Sequence, residues 1–467
     1  MRKIIFSLSL MSLVGVASVS CSRDFTETQF FQDEKAGAIT TVEQLQSFVN
    51  GTFTKMRSAN YLGREYRALA QVHTDETYCT QRTGRNVQFA TYRLTSQTAA
   101  VANTWYAIYQ VIANANTVIN APDNLTWGEA SDPSLVATRV KYLKGQAYAA
   151  RALAFFDLLR LYGQQYSGGR LGVVLPTEYN PSVLMGRATV AETQAKIEAD
   201  FAAALANVGD SGEVSAKNYL NKYSIEALMS RYYLYKGEYD KVIAYANDVI
   251  SSGNYSVVAS NDYIKSFSQE GGVNSVFELS LGINGSLGYN AYDLIVNSNG
   301  YANIAVLPEV YSSYAAGDVR KSAINANRLG EYFVNGKFSN FVGSSNIKVV
   351  RYEEVLLNAA EAEIVAGSSA NALTYYNAIR TKRGLPAATS VTFEDIKKER
   401  RLELLGEGFR YWDLLRWNEV VPYYTSAGVR DTSKDKRVGD NLLAYPIPLS
   451  ETNVPGTPVV SNPGYDN

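Results

Sequence analysis

The stretch ERRLELLGEGFRYWDLLRW, residues 399–417, sets four arginines and four carboxylates among leucines and aromatics. Two carboxylates facing each other about 5 to 10 Å apart are the equipment of a glycosidase. As one helix, however, the segment places Glu407, Arg410, Asp413 and Arg416 three residues apart in alternating sign, which makes a ladder of ion pairs. Leu405, Phe409 and Trp412 fall on a neighbouring apolar stripe. The pattern suits a helix docked on others with its charges paired at the rim. Carboxylates flanked by guanidinium groups have depressed pKa values, which is wrong for a general acid at neutral pH. The stretch is therefore read as scaffold. Gly408 offers a variant of that reading, a break that lets two halves meet at an angle.

Other chemistries lack their parts. His73 is the only histidine, so every constellation needing two is excluded, and it reads as a packed or surface residue. No catalytic residue, metal site or cofactor is expected, since zinc ligand sets, phosphate-cradling loops and dinucleotide fingerprints are all missing from the sequence. With 44 Lys+Arg against 45 Asp+Glu and a net charge of -1, the chain has no basic excess for neutralising phosphates, so nucleic acid is not an expected partner.

Binding chemistry is better represented. Tyrosine is the composition outlier, 34 residues against 17 Phe and 4 Trp. Many tyrosines sit in helical patterns, but Tyr255, Tyr263, Tyr289, Tyr292 and Tyr301 lie in a Gly/Asn/Ser-rich stretch with Asn284, Asn290, Asn297 and Asn299. Tyrosine mixed with Asn, Ser and Gly gives rigid flat surfaces beside adaptable hydrogen bonds, as in antibody loops. Residues 73–92 look similar, with Tyr78, Gln81, Arg82, Arg85 and Asn86, whose arginines could hold a carboxylate in bidentate fashion. Ligand contact is therefore expected from Tyr78, Gln81, Arg82, Arg85, Asn86, Tyr289, Asn290, Tyr292 and Tyr301. The alternative is that these residues only pack and cap irregular loops.

The elements that must hold these loops are helices. Apolar residues at i, i+3, i+4 and i+7 predict helices over about 41–58, 101–120, 137–162, 189–207, 219–236, 238–251, 351–367, 370–383 and 393–417. Residues 221–254 and 351–384 superpose as two 34-residue units, with Gly237 matching Gly367 and Asn247 matching Asn377. That length is the tetratricopeptide period, in which helix pairs bury their apolar faces by stacking on neighbours. The fold class is therefore mostly α, a tetratricopeptide-like helix-pair superhelix, with a loop-rich, minor-β irregular region over about 252–345 in which SVFELSL alternates like a short strand.

At the N-terminus, Arg2 and Lys3 precede an apolar run and small residues ending at Cys21, the pattern of a secretory signal over 1–20. The SVSC junction is similar to a bacterial lipobox, with Ser18 where Leu or Val is usual, so Cys21 is expected to carry acyl chains that hold the protein on a membrane surface. Residues 21–40 then form a polar tether. The lipidated reading leaves Cys79, the only other cysteine, without a partner and excludes a disulfide framework.

Nine segments in order resemble the SusD/RagB family of outer-membrane nutrient-binding lipoproteins: NTWYAIYQVIANANTVI, KGQAYAARALAFFDLLRLYG, RATVAETQAKIEADFAAAL, YAAGDVRKS, RYEEVLLNAAEAE, YNAIRTKRGL, the 399–417 stretch, AYPIPLSE and the terminal NPGY. The resemblance covers nearly the whole chain and implies helical regions over 41–251 and 346–467 flanking the ligand-binding loops. It further implies a lipid anchor on the outer face of the outer membrane and a non-catalytic role as lid on a SusC-like TonB-dependent transporter. The ligands implied are oligosaccharides or, in the RagB branch, peptides. Family ligand residues follow no fixed motif, so the residues named above rest on loop composition. Few loop tryptophans, the arginines near Tyr78 and the segment LGVVLPTEYNPSVLMGRAT tilt the expectation slightly towards peptides. Rival classes are a surface hydrolase and a pure protein-interaction scaffold.

Overall fold

The computed structural model describes residues 38–178, 180, 182–210 and 213–465. The expected signal sequence, Cys21 and most of the tether lie outside these residues.

Thr41 starts the first long helix, α1 (Val42–Met56), through a reciprocal cap: its hydroxyl accepts from the Gln44 backbone N–H, and the Gln44 side chain accepts from the Thr41 N–H. The helices α2 (Ala99–Ile119), α3 (Pro133–Tyr162) and α4 (Val190–Val208) follow. Asp132 and Pro133 open α3, and a Thr189/Glu192 capping box opens α4. From Tyr142 onward α3 is buried on nearly every face, because α2 and α4 both pack on it. Its charges are internally paired: Arg151 holds Asp200 at 2.7 and 2.8 Å, and Asp157 accepts from Tyr61 at 2.6 Å and pairs with Arg160.

Both 34-residue units fold as helix pairs. α5 (Lys222–Lys236) joins α6 (Tyr239–Ser251) through Gly237, and α7 (Tyr352–Val365) joins α8 (Ser369–Lys382) through Gly367. The two glycines have φ of 80° and 88°, left-handed values that a residue with a Cβ adopts only under strain. α7 packs against α6 as well as α8, so the pairs stack, as the shared period requires. The matched asparagines differ in use: Asn247 accepts from Tyr375 at 2.8 Å across the stack, while Asn377 holds the Ala388 backbone.

No helix in 252–345 exceeds five residues among those described. Two small sheets tie this region to the rest. β2 (Ser275–Leu279), the expected strand, runs antiparallel to β6 (Ile347–Arg351). The other sheet has the order β1 (Thr77–Cys79), β3 (Ile304–Val306), β5 (Tyr332–Phe333), β4 (Asn325–Ala326). The β1–β3 pairing matters for function, because it brings the 73–92 segment beside the tyrosine-rich loops. Among the described residues no helix is long and apolar enough to cross a membrane.

The single helix expected over 393–417 is corrected to two: α9 (Phe393–Glu403) and α10 (Arg410–Arg416). Gly406 and Gly408 intervene at φ 80° and 83°. A Cβ on Gly408 would lie a tight 3.2 Å from the Arg67 Cα, and its left-handed φ disfavours any residue other than glycine. The Gly408 break is thus the geometry adopted, with Gly406 sharing it.

Candidate functional site

The charged 399–417 stretch lies in the interior rather than at a rim. Arg400 and Glu403 are 1% and 0% exposed. Of the expected ladder only the Asp413–Arg416 pair forms, at 2.9 Å. Glu407 instead accepts from Arg351 and Lys337, both at 2.8 Å, and Arg410 grips Asp75 with two bonds of 2.7 and 2.8 Å. Glu403 accepts from Arg383 at 2.8 and 2.9 Å and from Arg351 and Arg320 at 3.2 Å. Burial by itself would raise the carboxyl pKa values of Glu403, Glu407 and Asp413, but the surrounding cations reverse this and hold all three below their ordinary values. Such groups stay ionised and paired, as a structural lock between α7, α9 and α10, and are unfit for proton transfer at neutral pH.

His73 is buried and stacked on Tyr92, with ring centroids 4.2 Å apart, and burial pushes its pKa down to about 3. Cys79 is buried, and Asn303 Nδ2 donates to its sulfur at 3.7 Å. Among the described residues no group of His, Cys, Asp and Glu could hold a metal ion.

The two loop segments singled out by composition converge. Asn303, just before β3, donates to the Arg85 carbonyl at 2.8 Å, and its own carbonyl accepts from Thr80 N–H at 2.9 Å. The Arg85 guanidinium lies 3.9 Å over the Tyr301 ring, and the Tyr301 hydroxyl donates to the Tyr289 carbonyl at 2.9 Å. Arg64 donates to Asn290 at 2.9 Å and to Glu65 at 3.0 Å. Arg64 and Arg85 line a cleft of about 260 Å³ together with Glu65, Asn86, Gln88 and Phe89. The Tyr289 side chain is 83% exposed. Gln81, Asn86 and Tyr92 have φ of 61°, 57° and 54° without being glycine, a concentration of backbone strain of the kind found at binding sites.

Of the expected ligand residues, Arg85 and Asn86 line this cleft; Tyr301 and Asn290 contact the lining residues Arg85 and Arg64, and Tyr289 contacts Tyr301. Gln81 is exposed away from its lining, and Arg82 is spent on an ion pair with Glu331 of the β4–β5 hairpin. Tyr78 is corrected: it is buried in β1 with its ring over Gly428, where a Cβ would come within 3.0 Å of it. Tyr292 is corrected too. Its ring is fully buried 4.3 Å beneath the Arg67 guanidinium, and its hydroxyl donates to the Gly406 carbonyl at 2.8 Å. Tyr255, Tyr263 and Asn297 are likewise buried, and Asn297 donates to the Phe338 carbonyl at 2.7 Å. Arg64 and Glu65 line the cleft without a signature in the sequence, because REYRAL reads as an ordinary helix start, whereas Gln88 lies within the 73–92 segment beside the residues named there.

The cleft offers a planar cation backed by a ring, amide groups and one carboxylate paired with Arg64. This is hydrogen-bonding equipment for a polar ligand. A second, more apolar cavity of about 460 Å³ is lined by Trp105, Tyr106, Tyr109, Leu184, Met185 and Val454. A third, of about 520 Å³, lies between α8 and α9.

Comparison with known proteins places this architecture. A family model described as "SusD family" matches residues 325–465, and one described as "Starch-binding associating with outer membrane" matches residues 30–234. A SusD-like protein of Formosa agariphila is 24% identical over 97% of this chain and 97% of its own length. A SusD superfamily crystal structure from Bacteroides thetaiotaomicron superposes with a TM-score of 0.81 at 25% identity, covering 91% of this chain and 100% of that one. A laminarin-binding SusD-like protein superposes with a TM-score of 0.72 at 22% identity, covering 91% and 100%. The stacked helix pairs, the loop region they carry and matches that run along both halves of the sequence agree: the chain is SusD-like.

Proposed function

We propose that this protein captures oligosaccharides in the cleft between Arg64, Arg85 and Tyr301, without chemistry of its own. One observation carries the reading: the cleft is lined by Arg85 and Asn86 of the 81–92 segment, and Arg85 is held from behind by Tyr301 and Asn303 at the end of the tyrosine-rich loops. Supporting it are the starch-binding description of the matching family model and the laminarin binding named for a protein of the same fold. The carboxylates that looked most like catalytic groups are locked in buried ion pairs, which also favours capture over hydrolysis. In this reading Cys21 carries the lipid anchor on the outer face of the outer membrane, and a SusC-like TonB-dependent transporter receives the ligand. The peptide alternative, which rests on the scarcity of loop tryptophan, the arginines near Tyr78 and the segment LGVVLPTEYNPSVLMGRAT, is an outcome of the same test.

The test is ligand-induced stabilisation with Tyr289→Ala, Tyr301→Ala and Tyr292→Ala in parallel. A saccharide present at a hundredfold excess over Kd stabilises the fold by about 2.7 kcal/mol. Tyr289→Ala and Tyr301→Ala lose that shift while the unliganded Tm stays near the parent's. Tyr292→Ala lowers the unliganded Tm, because it empties a buried site. If Tyr289→Ala and Tyr301→Ala keep the full saccharide shift, the cleft assignment is wrong.

A further inference from the structure

Arg85 differs from the other arginines around the cleft. Arg64 is held by Glu65 and Asn290, Arg82 by Glu331, and Arg57 by the Ser280 and Leu281 carbonyls. The Arg85 guanidinium, by contrast, has no carboxylate, amide or carbonyl partner among the described residues, although it is partly buried and lines the cleft. Its one contact is the Tyr301 ring, 3.9 Å away, which covers a face and leaves the N–H edge unspent. The backbone beneath is fixed, since Asn303 holds the Arg85 carbonyl at 2.8 Å and Thr83 holds Asn303 at 2.9 Å.

A guanidinium held over a ring is a pre-oriented fork, and the fork matches a planar or tetrahedral oxyanion with two parallel bonds. Hydroxyls of a neutral sugar would leave that geometry and charge largely unused. Glu65 is already neutralised by Arg64, so the cleft keeps one positive charge from Arg85 in a chain whose net charge is -1. Pre-orientation also lowers the entropy lost when the anion docks.

Resting on the proposal that the cleft captures oligosaccharides, we infer that the preferred ligand is an acidic saccharide whose carboxylate or sulfate group is received by Arg85. The amides of Asn86, Gln88 and Asn290 and the Glu65 carboxylate then serve the neighbouring hydroxyls.

The experiment is titration calorimetry on the full chain with a panel of tri- to hexasaccharides. Oligogalacturonates, alginate oligomers and sulfated galactans supply the acidic members, and β-glucan and xylan oligomers the neutral ones. Carboxyl-methylated oligogalacturonate serves as a shape-matched neutral control, and short peptides with a free C-terminus are included. The expected result is that an acidic saccharide binds tightest, that its affinity falls with added salt, and that Arg85→Gln weakens it about ten- to a hundredfold, as loss of a charged bidentate contact should. Arg85→Lys keeps the charge without the fork and lies between. Uronate binding separates from sulfate binding by which acidic members respond. Should Arg85→Gln fold poorly, methylation of the ligand removes the same contact from the other side. Neutral saccharides that bind as tightly as acidic ones, with no effect of Arg85→Gln, would overturn the inference and leave saccharide capture standing. Binding of peptides alone, or of no panel member, would overturn both.

Discussion

Replacing Glu403 by glutamine would test whether the charged 399–417 stretch is a structural lock. The substitution keeps the shape and removes the charge that Arg383, Arg351 and Arg320 share. Three guanidinium groups then face a neutral amide whose NH₂ points donors at donors, inside a site that is 0% exposed. Breaking one partner of a buried ion pair costs about 3–5 kcal/mol. Unfolding entropy for a unit of this size is roughly 0.9 kcal/mol/K, so Tm should drop by about 3–6 °C. The pH dependence gives a second readout. The folded pKa of Glu403 lies well below its ordinary 4.5, so its stabilisation is complete above that pH and is lost as pH falls through 4.5 towards the folded value. Glu407 and Asp413 act in the same direction, so the parent should show a steep acid limb and Glu403→Gln a shallower one. The assay is differential scanning calorimetry from pH 7 to pH 3, with Glu394→Gln as control. Glu394 pairs with Lys397 at an exposed site, where such pairs contribute little. A Glu403→Gln variant melting within 1 °C of the parent would refute the reasoning.

Further predictions concern the helix pairs and the histidine. Gly237→Ala and Gly367→Ala should each cost about 1 kcal/mol and add together, since a Cβ at either site meets nothing within 4 Å and only the backbone resists. Urea titration checks this, and a cost-free Gly367→Ala would show that the left-handed turn is not needed. The pKa of His73 is depressed to about 3, so the folded protein keeps it neutral while the unfolded chain protonates it below about pH 6.5. Its contribution is therefore intact above pH 6.5 and lost as pH falls towards 3, at about 1.4 kcal/mol per pH unit. His73→Phe, which retains a ring against Tyr92, should lose less stability than the parent between pH 6.5 and pH 4.5 by urea midpoint. Parallel curves would place the buried titration elsewhere.

The sequence by itself determined the helical frame, the 34-residue pairing of 221–254 with 351–384, the helix start at Thr41 and the family resemblance. Those features depend on contacts within a few residues, on helical periodicity and on glycine at turn positions, which any single segment displays. It also singled out the 73–92 segment, of which residues 84–89 line the cleft, because Tyr, Asn and Arg cluster there. The tertiary structure alone decided which tyrosines of the composition-selected loops are buried and which are exposed. Tyr292 and Tyr289 lie three positions apart in similar surroundings, yet one is sealed under Arg67 and the other projects into solvent. The same holds for the charges of 399–417, whose partners Asp75, Arg320, Arg351 and Arg383 come from distant parts of the chain. Local spacing predicts ion pairs along one helix, but a buried charge takes whichever opposite charge the fold brings within about 3 Å. Two left-handed glycines broke that helix and handed the choice to the packing.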